Sequence, residues 1–450
     1  MRLNLLSATP WLLACCALAA CASYRPAPLV TAPPLQDRPG ALAHVLPDGR
    51  VLSVAGPLSL ADVAALAVLN DPDLAAARAR HDVAAAELLN AGLPPDPSIS
   101  GGFAALLGGP ASMSSLSAGF MEDVGALVTY KAARQAARAG LAQIDAGILW
   151  QEWQVVAQAE QLDVALATDR ATIASLRQDA AALEPVDAAV RRQIAQSNQT
   201  LADGALAQAA LATVQASLDT EAQKMAGDRD QLDALLGLVP GTDVPLAPPV
   251  PAPLAPAVIA PAIATLAQRR PDLIALRYGY AQADARLRAS ILGQFLPISL
   301  GASGGRDTSG VYSAGPQVTL TLPLFNRNRG VTAVASASRA ELAAQYQASL
   351  AGAVGGARAL SASIALLQTQ AGAAAVAATR AAAAATAARR SFDEGQITAL
   401  AFAGLQSAAG DRARTEISLR GQLQTEEISL ATLLGLGLPP LGPAPKDSAS

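Results

Sequence analysis

The chain has 450 residues, a formal net charge of −4 and 52% hydrophobic residues, but only 3% aromatic residues. Such a mild charge, with no basic stripe and few aromatic residues to interleave, argues against a nucleic-acid partner. The apolar content is largely Ala, Leu and Val, which suits long helices packed at close range better than one thick globular core.

The N-terminus is typical of a targeting sequence. Arg2 precedes an apolar stretch, Leu3 to Ala17, that is too short to span a membrane as a helix. The stretch ends in Leu18-Ala19-Ala20-Cys21, which resembles the cleavage box of bacterial lipoproteins. We therefore expect residues 1–20 to be a lipoprotein signal peptide and Cys21 to be the lipid attachment site, acylated for example with palmitate. An ordinary signal peptide with an incidental Cys is the alternative.

The rest of the chain divides into two similar halves. Leu69-Asn70-Asp71-Pro72-Asp73-Leu74 is echoed by Gln268-Arg269-Arg270-Pro271-Asp272-Leu273, and Leu235-Leu236-Gly237 is echoed by Leu433-Leu434-Gly435. Internal repetition of this kind indicates two copies of one supersecondary unit. Asp71 and Asp272 are expected to cap a helix or to meet its dipole.

The repeats set the predicted organisation of the chain. It comprises an extended arm at 21–57, repeat 1 at 58–238, an extended Pro-rich connector at 239–261, repeat 2 at 262–438 and a tail at 439–450. Each repeat is expected to contain a helix, a β-hairpin and long helices. The hairpins are placed at about 98–124 and about 297–323.

The second hairpin has the clearer strand pattern. Gln317 to Leu322 alternates strictly between polar and apolar residues, which puts Val318, Leu320 and Leu322 on one face. This face could be the buried side of a soluble hairpin or the lipid-facing side of a membrane β-barrel strand. Periodicity alone leaves both interpretations open.

Long helices follow each hairpin. Apolar residues recur at steps of three, four or seven through 141–183 and 342–367, which is the spacing of a coiled coil. A Gly interrupts each tract, at Gly204 in Ala202–Ala205 and at Gly395 in Phe392–Gln396. Since Gly past a helix end supplies a left-handed turn, we expect the chain to reverse at these two positions.

Four strands cannot close a membrane barrel, because single-chain barrels begin at about eight strands. An open sheet in lipid would leave its edge groups without hydrogen bonds. If the strands lie in a membrane, the chain must therefore oligomerise, and three copies supplying twelve strands is the most economical solution.

These features together resemble the TolC family of outer-membrane efflux proteins, over roughly residues 58–438. The resemblance is carried by the lipoprotein Cys, the repeat starts and ends, Leu93-Pro94-Pro95-Asp96-Pro97 before the first hairpin, Leu322-Pro323-Leu324-Phe325 after the second, and the Gly-marked helix breaks. It implies a mainly α fold with a small β part, in which a long α-helical coiled-coil tunnel continues from a membrane β-barrel. Each protomer would contribute four strands.

The resemblance also implies a function and partners. The protein would be a passive, homotrimeric exit duct of a tripartite efflux or secretion system, lipid-anchored in the outer membrane of a Gram-negative bacterium and reaching into the periplasm. A periplasmic adaptor and an inner-membrane pump would be its partners. The family's adaptor-facing tips carry over to Asp203, Gly204, Ala205, Leu206, Glu394, Gly395, Gln396, Ile397 and Thr398.

Some family members close the tunnel with acidic residues beyond the second tip. Here that stretch is Leu400 to Gly404, which has no carboxylate. An acidic, cation-sensitive gate is therefore not expected, and Phe402 is the candidate for an apolar constriction.

No constellation in the sequence indicates catalysis, a metal centre or a cofactor. The two histidines, His44 and His81, are isolated, and no P-loop, dinucleotide-binding glycine pattern or HExxH motif occurs. The alternative to a duct is an elongated helical lipoprotein that acts as a periplasmic scaffold or binding module without a pore. The substrate is open among drugs, detergents, siderophores and metal ions, although Leu93 to Pro97 resembles the heavy-metal efflux branch of the family.

Overall fold

The structure, a computed structural model, describes residues 24–46, 49–105, 107–108, 113–198, 200–251, 254–294, 298–322 and 325–437, with Asp203 described by its backbone alone. The signal peptide, Cys21 and the tail at 439–450 lie outside these residues. The chain separates into a unit that ends at Leu35 and a unit that begins at Gln36. In the first unit, residues 24–35 are exposed and form neither helix nor strand.

The second unit contains the two predicted repeats. The first comprises α1 (Leu60–Asn70), α2 (Pro72–Ala91), β1 (Ser98–Ala104), β2 (Ser115–Asp123), α3 (Val124–Ala195) and α4 (Leu201–Leu236). The second comprises α5 (Pro256–Ala264), α6 (Leu266–Arg269), α7 (Pro271–Leu292), β3 (Ile298–Arg306), β4 (Tyr312–Leu320), α8 (Arg329–Asp393) and α9 (Ala399–Leu433). The predicted fold class, mainly helical with four strands, is confirmed.

The repeated Pro motifs start helices, as the sequence indicates. Asp71 is the N-cap of α2, and its carboxylate accepts a hydrogen bond of 2.7 Å from the Leu74 amide. Pro72 and Pro271 each occupy the first helical position, where the missing N–H is not needed. Asp272 instead pairs with the Arg270 guanidinium at 2.6 Å. The two copies thus use their Asp residues differently.

Both Leu-Leu-Gly sequences end a helix with the same hydrogen-bonding pattern. Gly237 has φ of +68° and Gly435 has φ of +62°. Beyond them, the Leu238 amide donates to Asp233 O at 2.7 Å and the Leu436 amide donates to Ala431 O at 3.0 Å. This is the Schellman motif, in which Gly adopts the left-handed conformation without a Cβ penalty.

The long helices pack in antiparallel pairs. α3 has 72 residues and α8 has 65, which corresponds to about 108 Å and about 98 Å of helix. α3 contacts α4, α7 and α9, while α8 contacts α7 and α9. α3 continues through Pro185 to Ala195 without a break. Such lengths cannot be buried by one protomer, and many Ala side chains of α8 remain exposed.

The arm and the connector are more structured than expected. Leu42, Leu52 and Leu58 are buried against α1, α3 and α4, and each fully buried Leu contributes about 2 kcal/mol. Isolated bridges join Gln36 to Leu238 and Leu58 to Leu246. The prediction of an extended connector up to residue 261 is wrong at its end, because α5 starts at Pro256. Pro fits the first turn of a helix, and the Ala- and Ile-containing sequence that follows favours its propagation.

The first tip turn lies earlier than predicted. Gly204 is inside the first turns of α4, and the chain reverses between Gln196 and Thr200 instead. Ser197 takes the left-handed conformation there, with φ of +60°, and the Asn198 amide donates to Gln193 O at 2.9 Å. The second tip does turn at Gly395, with φ of +73° and the matching bond from Gln396 to Ser391 O at 2.8 Å. Ser197 is therefore the counterpart of Gly395.

Candidate membrane sheet and tunnel tip

The four strands form one antiparallel sheet in the order β1-β2-β3-β4. The register places Ile99 opposite Phe120, Phe120 opposite Ala302, and Leu300 opposite Val318. Residues directly opposite each other share a face, so these pairs define one side of the sheet. The exposed large residues on this side are Ile99, Phe103, Leu116, Phe120, Leu300, Tyr312, Val318 and Leu320. We call this side the apolar face.

Charged side chains occur on the apolar face only at its two ends, among the residues that the structure describes. Glu122 lies near the helices, and Arg306 lies at the hairpin end opposite Tyr312. Val318 is 64% exposed and Leu320 is 47% exposed, so one protomer leaves this surface uncovered. A continuous exposed apolar surface of this size indicates contact with lipid or with another protein.

The opposite side of the sheet is small and polar. Its residues are mainly Ser, Gly and Thr, with Gln317 and Asp123 towards the ends of their strands. Gly301 is required by a close approach on this sheet, since a Cβ there would lie 1.9 Å from Phe120 O. One apolar and one polar side, along strands of seven to nine residues, is the pattern of a barrel wall between lipid and water.

Both outer strands have an edge without a partner strand. β1 pairs only with β2 and β4 pairs only with β3 among the described residues. Unpaired backbone groups cost several kcal/mol each in hydrocarbon, so this sheet is not complete by itself in a membrane.

The two helix tips pack together at the other end of the helices. Val186, Val190 and Ala207 from the first pair form one cluster with Ala388, Ala399 and Phe402 from the second. Around the second turn, Glu394, Gly395, Gln396 and Thr398 are exposed, while Ile397 is partly buried in this cluster. Thr398 caps α9 by accepting a hydrogen bond of 3.2 Å from the Ala401 amide.

The remaining tip residues predicted from the sequence lie on the first turns of α4. Ala205 and Leu206 are exposed, and Gly204 is partly buried. A Cβ at Gly204 would lie 2.5 Å from Ile194 Cδ1, so this Gly lets α4 approach α3 closely instead of making the turn. Leu201, which the sequence did not single out, is 81% exposed and lies directly after the turn.

Phe402 does not form a constriction in this structure. Its side chain is fully buried within the protomer, stacked on Phe392 with ring centroids 5.3 Å apart. The Arg389 guanidinium lies 5.6 Å from the centroid of the same ring. The Phe402 ring therefore joins α9 to α8 and presents no surface to a duct.

Buried carboxylates on α3 hold ion pairs both within the first helix pair and between the two pairs. Asp179 on α3 accepts hydrogen bonds from Arg414 and Gln406 on α9. Asp169 on α3 pairs with Lys224 on α4, and Lys224 also reaches Asp228 at 3.1 Å. No sequence motif indicates these contacts; the one signal for them is that Asp169 falls between Leu166 and Ile173 in the apolar spacing of α3.

Two further carboxylates on α3 resist ionisation. Asp163 is fully buried, and neither of its carboxylate oxygens has a hydrogen-bond partner. Burial raises the pKa of Asp163 to about 6, against an opposing effect of the Arg170 charge. Burial, together with the neighbouring Asp163 charge, raises the pKa of Glu160 to about 7.

A cavity of about 540 Å³ lies between α3, α4 and α9. Asp169, Lys224 and Arg414 line it together with Thr and Ser side chains. Among the described residues no group of three or more His, Cys, Asp or Glu could hold a metal ion. Asp169 and Lys224 form an ion pair with each other and Arg414 pairs with Asp179, which indicates that these three side chains hold the helices together.

The sequence of the second repeat matches a known family. Residues 262–436 match the family model described as outer membrane efflux protein. No curated protein matches the chain by sequence.

Solved structures share the fold over most of their length. The Campylobacter jejuni CmeC outer membrane channel is 14% identical, with a TM-score of 0.71, and the match covers 84% of this chain and 85% of that one. The open-state Neisseria gonorrhoeae MtrE outer membrane channel is 17% identical, with a TM-score of 0.68 over 90% of this chain and 97% of that one. CusC, from a study of folding and transmembrane channel formation, is 18% identical, with a TM-score of 0.70 over 90% and 99%. The fold is thus shared with these outer-membrane channels, as the resemblance seen in the sequence implies.

Proposed function

We propose that the protein is a passive outer-membrane exit duct of a tripartite efflux or secretion system. The observation that carries this proposal is the open four-stranded sheet, apolar on one side and polar on the other, joined directly to helices about 100 Å long. The family match of residues 262–436 and the fold of the channels described above support it. The protein would supply a path and no chemistry.

The active form would be a homotrimer. Three copies provide twelve strands, and β4 of one copy would pair with β1 of the next, so that no edge remains open to lipid. The long exposed surface of α8 would find partner helices in the neighbouring copy. By length and composition α8 could span a membrane, but Arg339, Arg358 and Arg380 along it favour a helical tunnel over a lipid-embedded helix.

The helix tips would bind the periplasmic adaptor, which connects the duct to an inner-membrane pump. Exposure of Glu394 to Gln396, Thr398, Ala205 and Leu206 supports this assignment. Leu201 would belong to the same surface. Cys21 would carry the lipid that anchors each protomer to the outer membrane.

A periplasmic scaffold without a pore fits the sheet less well. A soluble scaffold would expose the apolar face to water, whereas a barrel turns it towards lipid. No feature of the described residues favours the scaffold over the duct.

The test combines assembly and conductance. Native mass spectrometry of protein extracted from outer membranes should show a trimer whose subunits carry an N-terminal lipid, and the same sample should conduct ions in a planar bilayer. A lipidated monomer without conductance would overturn the duct. A conducting trimer without lipid would remove only the anchor at Cys21.

A further inference from the structure

Where the strands end and the long helices begin, exposed cationic side chains outnumber acidic ones. β2 runs directly into α3 and β4 is followed by α8. Because β2 and β4 run in the same direction, both junctions lie at the same end of the sheet. Lys131 and Arg134 lie in the first three turns of α3, and Arg327 and Arg329 lie where α8 begins. All four are exposed, and none forms an ion pair within the described part of the chain. We call these four residues the cationic rim.

Apolar side chains separate the cationic rim from the sheet. Leu127 is 45% exposed and Val128 is 48% exposed on the first turns of α3, just before Lys131. Leu322 and Phe325 are 57% and 98% exposed between β4 and Arg327. At both junctions the order is therefore apolar strand, exposed apolar or aromatic residue, then cation. This is the order that a protein presents across the boundary between hydrocarbon and phospholipid headgroups.

The backbone holds the second junction in a strained conformation. Arg327 and Asn328 are consecutive residues with φ of +44° and +57°. Asn328 donates a hydrogen bond of 2.6 Å from Nδ2 to Ser290 O at the end of α7. Non-Gly residues persist in this region only when surrounding contacts impose it, which makes the position of Arg327 and Arg329 a fixed feature of the fold.

Acidic residues at this end of the sheet are fewer than cationic ones, and one of them already accepts a hydrogen bond. Asp123 accepts a hydrogen bond of 3.2 Å from the Ala126 amide at the start of α3. Glu122 lies at the end of the apolar face, and Asp96 is exposed before β1. The opposite, hairpin end of the sheet differs, since the positive charge of Arg306 is offset there by the negative charge of Asp307. The excess of cations is thus confined to the helix end.

We propose that the cationic rim binds the phosphate groups of anionic phospholipids in the periplasmic leaflet of the outer membrane. The proposal rests on the proposed duct function, because it requires the apolar face to lie in that membrane. Guanidinium and ammonium groups just outside the hydrocarbon attract anionic headgroups, whereas they gain less from zwitterionic ones. Arg134 also packs beside Gly92 at the end of α2, so its substitution could disturb the fold. Arg327 and Arg329 are therefore the residues to substitute.

The experiment uses the full-length protein in nanodiscs that contain equal amounts of phosphatidylglycerol and phosphatidylcholine. Native mass spectrometry of the released trimer counts the lipids of each kind that remain bound. We expect the wild type to retain phosphatidylglycerol in at least about fivefold excess, with the preference lowered up to about fivefold for each cation removed. Arg327→Gln/Arg329→Gln should abolish most of it, and Arg327→Lys/Arg329→Lys should preserve it.

The matched control is Arg358→Gln/Arg380→Gln, which removes the same charge from α8 about 40 Å or more beyond Arg329. It should keep the wild-type preference. Equal retention of the two lipids by the wild type, or a preference unchanged in Arg327→Gln/Arg329→Gln, would overturn the proposal while leaving the duct intact. If the wild type forms no trimer in nanodiscs, the proposed function itself fails. If inorganic phosphate at 10 mM (roughly physiological, in the range where weak anion sites fill) displaces the lipid, the rim is a general anion site and the proposal is also wrong.

Discussion

Asp179 on α3 lies in the side-chain space left by Gly410 on α9, where a Cβ would come within 1.9 Å of Asp179 Oδ2. The same carboxylate accepts hydrogen bonds from Arg414 and from Gln406, the latter at 3.0 Å. One acidic side chain thus ties the first pair of long helices to the second. Because it is 4% exposed, an Asp179 left without its cation would be a buried, uncompensated charge.

Removal of the cation should therefore cost more than removal of both partners. Arg414→Gln is expected to destabilise the protein by about 3 kcal/mol, since breaking a buried pair leaves one charge unpaired. Asp179→Asn/Arg414→Gln should recover part of that loss. Chemical denaturation of the detergent-solubilised protein, followed by circular dichroism, measures both values. Arg420→Gln, which removes a mostly exposed cation 3.4 Å from Glu416 on the same helix, is the control and should change stability by less than about 1 kcal/mol.

How far the sequence predicts this architecture depends on the kind of signal. The repeat, the alternating strand and the helix ends at Gly237 and Gly435 are local or periodic patterns, and they were sufficient for the fold. The first tip was misplaced because Gly204 offered the expected residue type while Ser197 took the left-handed turn. The pairing of Asp179 with Arg414 joins residues on different repeats, and no single-helix periodicity indicates which Arg an Asp will meet.

The tip assignment itself can be tested by exchanging residue types. Ser197→Gly should stabilise the protein by about 1 kcal/mol, because Gly adopts φ of +60° without the penalty that a Cβ causes. Gly395→Ala should destabilise it by a similar amount for the same reason. Thermal unfolding monitored by circular dichroism measures both changes. If Ser197→Gly destabilises the protein, the assignment of the turn to Ser197 is wrong. Gly204→Ala would not decide the question, because its Cβ would meet Ile194 even without a turn at that position.

Asp163 should make stability fall as pH rises. Its pKa is about 6 in the folded protein against an ordinary value of 3.8, so the folded state holds the proton more tightly. Below about pH 4 the Asp163 carboxyl is protonated in both the folded and the unfolded state, and its contribution to stability is complete. This contribution is lost as the pH rises to about 6 and beyond. The loss amounts to about 3 kcal/mol at most, at 1.36 kcal/mol for each pKa unit.

The comparison that isolates this effect is between wild type and Asp163→Asn. The free energy of unfolding of the variant should depend less on pH between 4 and 6, with the largest difference from wild type above pH 6. Glu160 titrates in both proteins, but its pKa should fall in the variant because the Asp163 charge that helps to raise it is removed, and this also makes the variant depend less on pH. Parallel pH profiles for the two proteins would mean that Asp163 is ionised in the folded state, with a cation or water supplying the contacts that its oxygens lack.

The apolar face of the sheet makes the sharpest prediction about the membrane. Val318→Asp/Leu320→Asp places two carboxylates per protomer where we expect hydrocarbon, close to the helix end of β4, and each costs up to about 1 kcal/mol there. Three copies multiply that cost, so the variant should fail to assemble into a trimer in the outer membrane. Gln317→Asp/Thr319→Asp adds the same charges to the same strand on its polar side, towards the expected duct. Outer-membrane fractionation followed by native gel electrophoresis should therefore find trimer for the second variant alone. Equal assembly of both variants would show that β4 does not separate lipid from water.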